Sequence, residues 1–314
     1  MTLRIASLRI AALTFRIQRF EMILVLGATI LSVLVSALVI SWIRTAGYDR
    51  CMTDENLSLT GFCHSAVGDW LFRIARLSGS IVPVFPIVAG LLIGGPVVAR
   101  ELESGTARLA WSLSPSRLRW FVHRAVPALL LAVVAGVAIG LTADAILHVS
   151  EPSLDIDQSF AGFRQRGLLI GVQALLIAAI ALAIGSILGR AIPTFVLALI
   201  LFGGIGIAVD KVESQLLTNE ALTTDSFQWN DAAMFLESRI RMPDGQVLTW
   251  QQMSEIHPDI LNNGYDPEVY RDVVLYIPGS RYHEIEGREA LALTTIAGLF
   301  VLVAGMTVVR RRPR

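Results

Sequence analysis

Hydrophobic positions in this chain come in long unbroken blocks, not in alternation with polar ones. Six stretches, 22–43, 77–99, 125–143, 167–189, 191–209 and 290–309, hold no Asp, Glu, Lys or Arg and are mainly apolar. About 20 residues of helix cross the roughly 30 Å hydrocarbon core of a bilayer, so each stretch is long enough to span it. The two-residue alternation of membrane barrel strands is missing. The pattern predicts an all-α membrane protein with six transmembrane helices. Between the fourth and fifth blocks stands Gly189-Arg190-Ala191-Ile192-Pro193, where Pro and a lone Arg predict a tight turn instead of one long helix. The second block carries Pro83, Pro86 and Pro96 and is expected to bend, since proline removes a helical hydrogen bond.

Composition supports the membrane reading. The 314 residues are 54% hydrophobic and 17% charged, against about 25% charged in a soluble domain. The balanced net charge conceals a polarity. With the N-terminus inside, the inside segments 1–21, 100–124, 190 and 310–314 hold 14 basic and 3 acidic residues, and the outside segments 12 basic and 23 acidic. Basic residues mark cytoplasmic loops, so both termini are expected in the cytoplasm of a bacterial cell, with the chain in the plasma membrane. Cys51 and Cys63 then share the first outside loop, 44–76. An oxidising exterior permits a disulfide between them; two unpaired thiols are the alternative. The five histidines show no ligand spacing, and no metal site is expected.

The remaining segments divide the chain further. Residues 1–21 place Leu3, Ala6, Ile10, Leu13, Ile17 and Phe20 on one helical face, with Arg9, Arg16 and Arg19 on another. This predicts an N-terminal amphipathic helix, lying on the headgroup layer or packed on the protein. Residues 22–210 carry spans one to five, and 289–314 the sixth span with its basic tail. Between them, 211–288 is read as a small extracellular α/β segment. In it "RIRMPDGQVLTW" predicts a hairpin turning at Pro243-Asp244-Gly245, and "TDSFQWNDAAMFLESRI" predicts a helix. Gly136/Gly140 and Gly185/Gly189 match Gly-x-x-x-Gly, which serves a subunit interface or ordinary helix packing. Polar side chains inside the spans are few, Gln173 among them, and no chain of carboxylates crosses the membrane. An ion-driven transporter usually carries such a chain, so the energy source is expected elsewhere.

The most structured polar stretch is "GGPVVARELESGTARLAWSLSPSRLRW", from Gly94 to Trp120, between the second and third spans. Ser104-Gly105 breaks the incoming helix. Thr106 is placed to cap a short helix over Ala107–Leu113, and Ser114-Pro115 to start the next. Arg117, Arg119 and Trp120 fall at the membrane boundary, where such residues anchor a span. The short helix is expected to present Arg108, Trp111 and the flanking acids to the cytoplasm.

This stretch resembles the cytoplasmic loop of bacterial ABC-transporter permeases of the type-2 exporter class, in its Gly-x-Pro, "ARE", "GT-x-R-L-A-W" and "S-x-x-R-x-R-W" elements. "YIPGSRYHEIEGREALAL", from Tyr276, is similar to the approach to the last span in the same class. The resemblance implies a permease subunit with the coupling helix at 100–120, and Arg100, Glu101, Glu103, Thr106, Arg108 and Trp111 as contacts to a separate ATPase. Arg100 is also placed to pair with an acid at the membrane edge. The chain has no phosphate-binding Gly-x-x-x-x-Gly-Lys-Ser/Thr loop. It is therefore not expected to be an enzyme, and ATP and magnesium belong to the partner.

The implied function is ATP-driven export of an amphipathic or hydrophobic molecule, such as a drug, a natural product or a lipid-like compound. The expected partners are ATPase subunits, a second copy or a homologous permease, and membrane lipid, with no nucleic acid. A membrane signalling or assembly protein, relaying an external signal through the same loop, is the alternative.

Overall fold

The computed structural model describes residues 19–45, 82–114, 116–150, 154–225, 232–256 and 271–311. Residues 1–18, Cys51, Cys63 and Pro115 lie outside the described residues, and the expectations that fall on them with them. In chain order the helices are α1 (Arg19–Thr45), α2 (Phe85–Gly94), α3 (Pro96–Glu103), α4 (Ala107–Leu113), α5 (Arg117–Ser150), α6 (Gly167–Leu188) and α7 (Ala191–Glu220). Strands β1 (Leu222–Thr224), β2 (Met234–Arg241) and β3 (Val247–Thr249) follow, then α8 (Trp250–Ile256), β4 (Arg271–Ile277) and α9 (Tyr282–Arg310). Among the described residues, six helical stretches are long and apolar enough to cross a membrane: α1, α2 with α3, α5, α6, α7 and α9.

The chain forms two compact units. One comprises 1–153, 162–205 and 286–314, the other 154–161 and 206–285. In the first, α6 is the centre. Leu169, Ile170, Ala174, Ile177, Ala178, Ala181 and Leu182 along it are all buried. It packs against α2 and α3 and against α5. Small residues let the backbones touch. A Cβ at Gly136 of α5 would fall 2.7 Å from the Cα of Gly171 on α6, and one at Gly140 would strike the carbonyl of Gly167. The Gly136/Gly140 motif therefore serves packing within the chain, since its bare face is already filled by α6.

The second span divides at Gly95-Pro96 into α2 and α3, as its prolines predicted: Pro96 has no N–H to continue the ladder. The turn between the fourth and fifth spans is also as expected. Gly189 takes φ +64° and its N–H closes on the carbonyl of Gly185 at 2.9 Å, a conformation that costs a residue with Cβ. Helix α7 leaves Ile192, Val196, Ile200 and Ile207 exposed, the side chains a bilayer would cover. Hydroxyls within the spans turn back on their own helix: Thr29 donates to the carbonyl of Val25, Ser186 to Leu182 and Thr295 to Leu291. Each of these three hydroxyls is thereby satisfied within its own helix.

The second unit holds an antiparallel sheet in the order β1-β4-β2-β3. The expected hairpin is present. Arg239 pairs with Thr249 and Arg241 with Val247, and Gly245 turns the chain at φ +88°. Asp244 accepts the N–H of Gln246 at 2.9 Å. The expected helix over "TDSFQWNDAAMFLESRI" is corrected: Met234–Arg241 is a strand. Its partner β4 lies some thirty residues along the chain, and Val273, Leu275 and Ile277 alternate inward there beside buried Ile240 and Met253. Distant pairing outweighs the local helical preference.

Candidate functional site between the second and third spans

The loop at 94–120 folds into a short helix between two breaks. The N–H of Ser104 ends α3 on the carbonyl of Arg100 at 3.0 Å, and Gly105 at φ +73° turns the chain. Helix α4 occupies Ala107–Leu113, the range its sequence predicts. Thr106 stands at its N-cap position but makes no side-chain cap; its hydroxyl lies 2.9 Å from that of Ser104. Ser114 is extended, and the cap of α5 is Ser116, whose Oγ accepts the N–H of Arg119 at 3.2 Å. Ser114 was the expected cap. With α5 beginning at Arg117, Ser116 is the serine whose side chain reaches the third helical N–H.

The inner side of α4 is keyed into the bundle. Ala107 is buried, and Trp111 meets Trp120 edge-to-face with ring centroids 6.0 Å apart. The Arg117 guanidinium lies 4.9 Å from the Trp111 ring centroid, within cation–π range. Trp111 is therefore half-buried, its ring turned against the bundle. Trp120 is also corrected as a boundary anchor: at 3% exposure it belongs to the core. The outer side of α4 shows Leu109, 67% exposed, which periodicity had no reason to single out. Arg108 lies on α4, and its side chain is outside the described residues.

Beneath α4, Glu101 at the end of the second span pairs with Arg124 at the start of the third. Both side chains are buried, and Arg124 sits 5.4 Å from the Trp120 ring centroid. Glu101 is thus a bond within the chain, not a group facing the cytoplasm. A carboxylate removed from water needs a cation, and Arg124 supplies it.

The other charges bind helix ends. Arg100 pairs with Glu21 of α1 at 2.7 Å; an acid was expected for it, but not which one. Glu103 remains exposed, and its Oε2 accepts the N–H of Ala191 at 3.1 Å. It satisfies an otherwise open donor at the start of α7 and sits at the positive end of that helix. Arg117 Nη1 donates to the carbonyl of Arg311 at 2.5 Å, and Arg311 Nη1 to that of Ser186 at 2.6 Å. The ends of α5, α9 and α6 are tied in series. Arg119 is exposed, and its carbonyl meets His123 Nδ1 at 2.7 Å. Among the described residues no cluster of His, Cys, Asp or Glu could hold a metal ion.

Among the described residues, six helices apolar and long enough to cross a membrane, with their ends meeting around one short polar loop, define the class as a multi-pass membrane protein. The model of the ABC-2 membrane transporter related family matches residues 21–213. That is well over half the chain, and the chain belongs to this family, an ABC-2 type permease. Members of the family are generally non-enzymatic membrane components that work with ATPase subunits. No curated protein and no solved structure matches the chain.

Proposed function

We propose that this chain is the membrane subunit of an ATP-driven exporter for an amphipathic or hydrophobic molecule. A separate ATPase binds ATP and magnesium and grips α4 from the cytoplasm. Two permease chains, identical or homologous, complete the pore in the plasma membrane, with both termini cytoplasmic. The observation that supports this reading is the seating of α4. It is bounded by Gly105 and Ser114, free on its Leu109 side, and locked through Trp111 to Trp120 and Arg117. A push on the outer side therefore reaches the ends of the second and third spans together, which Glu101 and Arg124 join. Exposed Leu109 and Glu103, with Arg108 on the same short segment, are the contact residues of this reading.

The test is co-purification with the ATPase subunit co-expressed beside the chain. Leu109→Asp and Glu103→Arg should each reduce the ATPase recovered while the permease still inserts and elutes as one species. If no ATPase associates through residues 100–120, the transport reading falls and the signalling alternative takes its place.

A further inference from the structure

At the opposite end of α5 from α4, four charged side chains meet around the short loop at 162–167. Arg166, 5% exposed, donates through Nη1 to Asp144 Oδ1 of α5 at 3.0 Å. Arg164 Nε lies 2.8 Å from Oε1 and 3.0 Å from Oε2 of Glu289 on α9, whose side chain is 4% exposed. Arg164 is the one described non-glycine residue with positive φ, at +65°. That backbone conformation is costly for a residue with Cβ and persists only where the surroundings impose it. Here Gln173, the amide that stands out among the apolar positions of α6, donates its Nε2 to the Arg164 carbonyl at 3.2 Å.

We propose that this loop is a latch that closes the end of the pathway remote from α4, with Arg164–Glu289 as its releasable bond. The two sides of the bond differ in rigidity. On one side, α5 and α6 touch backbone to backbone through Gly136, Gly140, Gly167 and Gly171, and Arg166–Asp144 and Gln173 fasten the loop to that block. On the other side, α9 leaves Leu291, Leu299 and Leu302 exposed, and Glu289 is a charged tie from it to the loop. Glu289 is buried while the Arg164 side chain keeps 30% exposure, and leaving a buried carboxylate without its cation is costly. Such a bond is suited to specifying one arrangement and giving way when Glu289 regains the water that Arg164 already meets. Both residues flank the apolar blocks of the sequence, so parting α9 from the loop hydrates them without dragging either through lipid. This purpose rests on the transport reading; the latch itself is a claim about helix movement.

The test uses the full chain in lipid nanodiscs, where both faces are open to reagent, in a Cys51→Ser/Cys63→Ser background. Leu293→Cys places a thiol one turn along α9 from Glu289, at a position now 5% exposed. The probe is a charged maleimide. In the parent background labelling should be slow. Arg164→Gln or Glu289→Gln should each speed it about tenfold, less than the loss of a fully buried pair would give because Arg164 already meets water. The reversed pair, Arg164→Glu with Glu289→Arg, should return labelling towards the parent rate, which a merely misfolded chain would not do. Single variants that label like the parent, or a reversed pair as fast as the singles, overturn the latch. The readout needs neither ATPase nor cargo, so failure of the transport reading shows in co-purification and failure of the latch in labelling.

Discussion

Glu101 and Arg124 form an ion pair almost free of water, joining the last turn of the second span to the first turns of the third. Removing one partner strands the other charge. Glu101→Ala should therefore lower thermal stability in detergent by about 3–5 kcal/mol, the range for breaking a buried pair. The double variant Glu101→Leu/Arg124→Met should recover most of the loss, because both charges then leave together. A double variant as unstable as the single would show that the pair does not carry the effect.

Backbone contact between α5 and α6 makes a second prediction. Gly140→Ala puts a methyl against the Gly167 carbonyl and should cost about 1–3 kcal/mol, the usual penalty for overpacking. Gly203→Ala, where a Cβ meets nothing within 4 Å, should be neutral or stabilising by up to about 1 kcal/mol, since alanine is the better helix former. Paired unfolding curves decide this, and equal shifts for the two variants would contradict the packing.

Trp111 gives a third. Trp111→Ala removes the ring held between Trp120 and Arg117 and frees α4 from the bundle. ATPase should still bind through the exposed side, while ATP hydrolysis loses its response to cargo. Hydrolysis rates with and without a transported compound measure this. An intact response would take Trp111 out of the force path.

The first loop supplies the fourth. Non-reducing mass spectrometry of protein from intact membranes should recover a peptide linking Cys51 to Cys63. Free thiols at both positions would leave the loop unclosed.

Much of this molecule is written in local chemistry. The six spans follow from apolar length, the break at Gly95-Pro96 from a missing N–H, and the turn at Gly189 from a conformation that glycine adopts without strain. The extent of α4 was legible too, because Gly105 and the Ser114 region punctuate the chain on either side. The pairing of Arg100 with an acid was expected, but its partner, Glu21, comes from a helix far away in sequence.

Only the tertiary structure decided which charged and aromatic residues face inward. In the chain Trp111 reads as a cytoplasmic contact and Trp120 as a boundary anchor, and Glu101 and Glu103 look alike as loop acids. The packed bundle buries Trp120, half-buries Trp111 against it, pairs Glu101 with Arg124, and leaves Glu103 exposed on the start of α7. Likewise β2 reads as helix until β4 arrives beside it. Periodicity and turn chemistry act over a few neighbouring residues, so the sequence alone determined the six spans and the breaks at Gly95-Pro96, Gly105 and Gly189. Ion pairs, strand partners and buried rings depend on groups that meet only after the chain has folded, and those assignments belonged to the structure.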